Sequence, residues 1–298
     1  MRVCAACGSP RGGDGTACAV CGDRPTIIDG FPAFAPELAR ENTGFQASYF
    51  AELADLEAQN FWFQARNELI VWALRAEVAD LARFLEIGCG TGFVLSGIHQ
   101  AFPEADLVGS EIFSAGLPFA AARVPSATFY QMDARHIPFR DEFDAIGAFD
   151  VLEHIEDDVA VIDEVGRALR PGGRFVISVP QHPALWSPQD DLAYHVRRYT
   201  AAGLRRKLEA AGFEIDRMTS FVSLLLPVML ASRMRLRFRA QDGPHDAIEE
   251  LRLSPIANAI SGSVMRLEIA LTRRGVSWPA GGSLLVVARK RPEAGGPA

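Results

Sequence analysis

No uninterrupted apolar run in this 298-residue chain approaches the ~20 residues that a membrane-spanning helix needs. The opening residues, Met1-Arg2-Val3-Cys4, lead straight into a cysteine motif with no apolar h-region and no small-residue cleavage site, so the expectation is a cytoplasmic protein. Positive charge is short too. Thirty Lys and Arg against 37 Asp and Glu leave a formal charge of −7, and such a surface field repels phosphate backbones. A dedicated nucleic-acid binder is therefore disfavoured, and small-molecule substrates gain weight. No internal repeat is visible. What is present is ordinary for a globular protein: 49% hydrophobic and 22% charged residues. The length exceeds the ~100–200 residues of one typical domain, which points to one main domain with a small appendage.

The appendage is written in cysteines. Cys4, Cys7, Cys18 and Cys21 form two C-x-x-C pairs, each followed by a glycine, Gly8 and Gly22. Glycine lets the backbone turn tightly enough for two thiolates to converge on one ion, and four sulfurs suit tetrahedral Zn2+. A reducing compartment argues against disulfides. A closed four-sulfur shell leaves no open coordination position, so the expected role is structural: a zinc ribbon that staples a segment too short for its own core. The pairs are interleaved with one basic residue, Arg11, and no aromatic, which offers little to RNA. Residues 24–34, broken by Pro25 and Pro32, read as the last ribbon strand and a linker. Domain boundaries are expected at 1–36 for ribbon and linker and 37–298 for the main domain.

From residue 46 to 80 apolar residues recur at helical spacing. Beyond 81 short apolar segments at 84–87, 107–109, 128–131, 143–148, 174–179, 213–218 and 283–288 alternate with helical stretches. The pattern predicts a doubly wound α/β fold, Rossmann-like, with a seven-stranded, mostly parallel sheet. Ligands in such sheets bind beyond the carboxyl ends of the strands.

Three strand ends carry acids. Phe84-Leu85-Glu86-Ile87-Gly88-Cys89-Gly90-Thr91-Gly92 sets a carboxylate and three glycines before a helix. Glycine permits close backbone approach to a ligand, and Glu86 suits an ammonium group. The third glycine comes one position too early for the dinucleotide fingerprint G-x-G-x-x-G, so NAD is disfavoured. Glu111 ends the next strand, where two carboxylate oxygens can accept both ribose hydroxyls. Asp133 ends a third, placed to read the exocyclic amine of adenine.

With these residues, the run Phe149-Asp150-Val151-Leu152-Glu153-His154-Ile155 and Leu169-Arg170-Pro171-Gly172-Gly173, the chain resembles the class I S-adenosylmethionine-dependent methyltransferases. It is similar in particular to the small-molecule O-methyltransferases of quinone biosynthesis. The resemblance covers roughly residues 61–180. It implies that Gly88 and Gly90 approach the methionine part of S-adenosylmethionine, that Glu111 meets the ribose and Asp133 the adenine, and that Phe149 lies beside the cofactor. It further implies that Arg66 pairs with the cofactor's carboxylate.

Methyl transfer to a hydroxyl needs a base, and His154 and His195 are the catalytic candidates near the expected edge. Residues 181–199 read as a cover loop in which Arg197 and Arg198 either hold an anionic acceptor or are solvated. Residues 221–255 form an insertion. Its part 221–239, apolar and then arginine-rich, is read either as a peripheral membrane contact or as a buried helix or dimer contact. The acceptor is expected to be a small molecule or lipid- or carrier-linked. An RNA methyltransferase and a non-catalytic interaction module are the alternatives.

Overall fold

A computed structural model describes residues 1–4, 7–11, 17–40, 48–239 and 252–292. Residues 12–16 of the ribbon loop, 240–251 of the insertion and the tail 293–298 lie outside the described residues.

The apolar runs at the centre of the sheet fold as strands because they are buried on both faces. Strand β3 (Arg83–Ile87) shows how: Phe84 and Leu85 are both fully buried and belong to different cores, one on either side of the sheet. Such two-sided burial is the mark of a sheet covered by helices on both faces. One core packs beneath α5 (Asp158–Ala168) and α7 (Ala201–Ala210). The other lies beneath α2 (Phe61–Glu77), α3 (Phe93–Ala101) and α9 (Pro255–Arg273).

The sheet runs β1-β2-β5-β4-β3-β6-β7-β9-β8. Strands β4 (Asp106–Glu111), β5 (Thr128–Gln131), β6 (Phe143–Phe149) and β7 (Leu169–Pro180) are parallel to β3. Strand β9 (Ser283–Lys290) lies antiparallel to β7, and β8 (Phe213–Phe221) closes the far edge antiparallel to β9. All seven expected strands are present at the expected places along the chain. The strand order reverses between β3 and β6, so the crevice beyond their carboxyl ends is the topological switch point.

Two strands exceed the expectation. The segment read as ribbon end and linker is a hairpin, β1 (Thr26–Ile28) and β2 (Phe31–Ala33), and β2 lies parallel to β5 at Ala33 and Gln131. Gln131 fastens the join: its side chain donates to the Ala35 carbonyl at 2.8 Å and accepts from the Ala35 amide at 3.1 Å. Three-residue strands carry little periodicity, and the pairing depends on a glutamine about a hundred residues away. The cysteine segment docks nearby, the Val3 amide donating to the Pro138 carbonyl at 2.9 Å.

Helix α2 is capped by Asn60, which accepts from the Trp62 amide. Its first amide, Phe61, donates to Asn258 of α9 at 2.8 Å, so the N-terminal helices and the C-terminal segment are locked together over one core. Helix α8 (Leu226–Arg239) holds most of the described insertion, and no described helix is long and apolar enough to cross a membrane.

Candidate cofactor and acceptor site

A cavity of about 710 Å³ opens at the switch point, lined by the loop after β3, the ends of β4 and β6, the turn after β5, and residues of α2. Glu86, Gly88, Gly90, Glu111, Asp133, Phe149, Arg66 and His154 all line it. Of the residues predicted for the cofactor and for catalysis, only His195 lies outside its wall.

The loop after β3 turns through Gly88, Gly90 and Gly92, at φ of 66°, 52° and 75°, a left-handed backbone that only glycine adopts without cost. Gly88 is also tightly packed, since a Cβ there would stand 2.5 Å from Val151 Cγ2. The loop is tied across the sheet by Glu111. The Gly90 amide donates to one carboxylate oxygen at 3.0 Å, and the Ile112 amide to the other at 2.8 Å. Burial raises the Glu111 carboxyl, and these amides oppose the rise.

Glu86 is 2% exposed, and its Oε2 has no hydrogen-bond partner among the described residues. Burial pushes its carboxyl well above the usual range, the charge of Arg66 offsetting only part. An orphaned buried acceptor aimed into a cavity fits a cationic amino group. This is the feature by which the residues present suit the amino-acid end of S-adenosylmethionine.

Two predicted residues carry partners that spacing did not reveal. Asp133 receives the Arg135 side chain at 2.8 Å and the Arg135 amide at 2.9 Å. Burial raises its carboxyl, but the Arg135 contacts win and hold it low. Arg66 forms an ion pair with Asp150 and lies 4.5 Å over the Trp62 ring. Arg66 is thereby fixed at the cavity wall. Asp150 itself sits at a positive φ of 57° directly after β6.

The sequence reading missed a second buried network. Thr91 in the glycine loop donates to Glu57 at 2.6 Å, and Arg123 at the end of α4 (Leu117–Arg123) donates to Glu57 at 2.7 Å and to the Thr91 carbonyl at 3.1 Å. Glu57 follows α1 (Ser48–Leu56), whose Phe50 and Leu53 reach the cavity. The available signal was a carboxylate just past a helix that ought to be amphipathic, which is too weak to stand out.

At the far end of the cavity His154 and His195 meet edge to face, with ring centroids 4.8 Å apart. Burial of the His154 ring, with the neighbouring His195, lowers it to about 4 even though part of the residue stays exposed. His195 Nδ1 lies 2.9 Å from Asp190. Asp190, in α6 (Pro188–Leu192), also takes Arg198 at 2.7 Å, the Ser187 amide at 2.8 Å and Arg233 of α8 at 3.1 Å. Burial would raise the Asp190 carboxyl, but His195 and Arg198 hold it far below the usual range. Arg198 is thus a buried internal partner. Arg197 is held by Asp158 at 3.0 Å and the Ile155 carbonyl at 2.8 Å. Both guanidinium groups are thus held by carboxylates of the protein itself.

In the N-terminal segment Cys4 and Cys21 sulfurs are 3.7 Å apart and those of Cys7 and Cys18 3.6 Å, with all four within 4.8 Å. Sulfurs on a tetrahedral ion at ~2.3 Å stand ~3.8 Å apart, so the spacing suits zinc.

Residues 85–177 match the methyltransferase domain family. A Mycolicibacterium smegmatis protein named as a probable S-adenosylmethionine-dependent methyltransferase is 32% identical over 165 residues, 54% of this chain and 62% of that one. The fatty-acid O-methyltransferase of the same organism is 30% identical over 183 residues, 57% of this chain and 63% of the relative. The matched stretch thus spans less than two thirds of either relative. Haemonchus contortus phosphoethanolamine N-methyltransferase 2, solved with S-adenosyl-L-methionine, shares the fold at TM-score 0.54 and 18% identity, covering 85% of this chain and 59% of that one.

Proposed function

We propose that this chain, which carries a class I S-adenosylmethionine-dependent methyltransferase domain, transfers the cofactor's methyl group to an oxygen of a small-molecule or lipid-linked acceptor. The observation that carries the reading is the convergence of Glu86, Glu111 and Asp133, from three successive parallel strands, on one cavity beside the Gly88–Gly92 turn. Each acid alone has a bland use as a cap or loop anchor. Three in one cavity, one of them with an orphaned oxygen, match the ammonium, ribose and base of a nucleoside amino acid.

When bound, the cofactor supplies a methyl sulfonium, already a strong electrophile, so the protein's tasks are alignment and exclusion of water. Glu86 holds the amino group, and Arg66 faces the carboxylate while Asp150 keeps it in place. Glu111 accepts from the ribose hydroxyls while its own orientation is fixed by the Gly90 and Ile112 amides. Asp133, held by Arg135, lies at the adenine end. Phe149 and Phe93 give the cavity apolar walls. His154 and His195 are the imidazoles at the acceptor end, where a hydroxyl must lose its proton.

Oxygen as the acceptor atom and a lipid-like acceptor are supported by the similarity to a fatty-acid O-methyltransferase. Exposed Val228 and Leu230 on α8 and Ile256 and Ile260 on α9 are apolar side chains of the kind that suit peripheral contact with a membrane or acyl chain. The RNA alternative loses ground, because Arg2 and Arg11 of the cysteine segment are buried. We assign that segment a structural zinc in a cytoplasmic protein. Metal analysis after dialysis against chelator checks this: one tightly held zinc per chain, lost in Cys18→Ser, is the expected result.

The deciding experiment is isothermal titration with S-adenosylhomocysteine, with NAD as control. Micromolar binding without an NAD response, abolished in Glu111→Ala, supports the reading and justifies a screen of fatty acids and phenols. A folded wild type that binds no S-adenosylhomocysteine refutes it.

A further inference from the structure

The family match begins at residue 85, yet one residue far ahead of it, Leu38, lines the cavity. Leu38 is half-buried and ends a short helical turn (Pro36–Leu38) that follows the β1–β2 hairpin. Two anchors bracket it. On one side the Phe34 amide donates to the Gln131 carbonyl at 2.8 Å, and the Gln131 side chain holds both the amide and the carbonyl of Ala35. On the other side the Ser114 amide donates to the Ala39 carbonyl at 3.2 Å, and Ser114 Oγ donates to Asp29 of the hairpin turn at 2.6 Å. Gln131 stands two residues before Asp133, and Ser114 three residues after Glu111. The segment is therefore pinned to the two loops whose acids are proposed to meet adenine and ribose.

We infer that residues 34–39 form one wall of the nucleoside end of the cavity, with Leu38 as an apolar contact for the adenine ring and Gln131 as the positioning residue of that wall. Adenine as the occupant rests on the S-adenosylmethionine reading above. The faces of a purine are flat and weakly hydrated, and an aliphatic side chain in a cavity wall removes such a face from water. Gln131 is completely buried, and its amide nitrogen donates to the Ala35 carbonyl at 2.8 Å and to the Ile112 carbonyl at 2.9 Å. The Ile112 amide in turn donates to Glu111 at 2.8 Å. One buried side chain thus sets the N-terminal segment and the ribose carboxylate in a single register. A buried amide with its partners in place holds one geometry, because a shift leaves polar groups unpaired.

The anchoring continues into the cysteine segment. Phe34 packs against the Tyr130 ring with centroids 5.3 Å apart, and Arg2 donates to the Tyr130 hydroxyl at 3.4 Å. The Arg140 amide donates to the Met1 carbonyl at 2.9 Å. Tyr130 and Gln131 are the last two residues of β5, so the cysteine segment and the wall rest on the same strand end.

The test titrates the full-length, zinc-loaded protein with S-adenosylhomocysteine and with methylthioadenosine, which keeps the nucleoside and lacks the amino-acid end. Leu38→Ala should weaken both ligands by the same factor, roughly tenfold, at an unchanged Tm, and Leu38→Met should restore both. Glu86→Gln, at the other end, should weaken S-adenosylhomocysteine alone. Gln131→Met should also weaken both ligands, and adding Leu38→Ala to it should cost little more, because the wall is already displaced. Full additivity of the two changes removes Gln131 as the positioning residue. A wild type that binds both ligands, with Leu38→Ala binding them equally well, overturns the wall. So does a loss in Leu38→Ala confined to S-adenosylhomocysteine, which would put Leu38 at the amino-acid end. A folded wild type that binds neither ligand removes the S-adenosylmethionine reading, and the wall falls with it.

Discussion

The Gly90 amide donates to Glu111 Oε2 at 3.0 Å, joining the glycine loop after β3 to the end of β4 through a single carboxylate. The side chain expected to receive the ribose is therefore also the brace of the loop expected to approach the methionine end. Glu111→Gln turns one accepting oxygen into a donor that faces an amide. Hydrogen bonds to charged groups contribute about 1.5–3 kcal/mol. S-adenosylhomocysteine affinity should fall roughly 10–100-fold at 1.4 kcal/mol per decade, measured by titration calorimetry.

Gly88→Ala meets two obstacles of different origin. The left-handed backbone at φ 66° costs about 1–2 kcal/mol for any L-residue, and the new methyl stands 2.5 Å from Val151. Denaturant unfolding should show a loss of about 2–4 kcal/mol with the crowding included. Adding Val151→Ala should return the crowding part and leave the backbone part, which a double-mutant cycle separates.

Glu86 opposes stability when it is charged. Burial raises its carboxyl in the folded protein, so the folded state holds the proton more tightly than the unfolded chain at ~4.3. The linked stability is fully present below that unfolded value and is lost as pH rises through the raised folded value. Glu86→Gln removes this loss. Its Tm at pH 7.5 should equal or exceed that of wild type, while S-adenosylhomocysteine affinity falls at least tenfold. Wild-type affinity should also rise with pH as Glu86 ionises, with proton release visible in buffers of different ionisation enthalpy.

Asp190 behaves in the opposite sense. Its carboxyl is held low by His195 and Arg198 against the effect of burial. Its stabilising contribution is present above the unfolded value of ~3.9 and is lost as pH falls below it. Asp190→Asn strands Arg198, which is buried, and should cost about 3–5 kcal/mol at pH 7. Thermal melts from pH 7 down to pH 3 should show wild type falling towards the variant.

The sheet was legible because each strand is a short apolar run bounded by turn residues, and burial on both faces demands that composition locally. The four cysteines and the glycine turn were legible for the same reason: the constraint lies within a few residues. The β1–β2 hairpin was read as a linker because three-residue strands show no periodicity, and their place is set by Gln131. Arg197 and Arg198 read either as holding an anionic acceptor or as solvated, because nothing in their own neighbourhood announces Asp158 or Asp190 as partners.

By itself the sequence determined the α/β class, the places of seven strands along the chain, the four-cysteine pattern and the acidic residue at each of three strand ends, since all follow from local periodicity and turn chemistry. Only the tertiary structure decided that Asp150 would hold Arg66, that Glu57 would bind Thr91 and Arg123, and that Glu153 would face His154 and His195. Apart from the adjacent Glu153 and His154, those pairings join segments about 35–85 residues apart. Their geometry is set by how strands and helices pack, a property that no local window of residues contains.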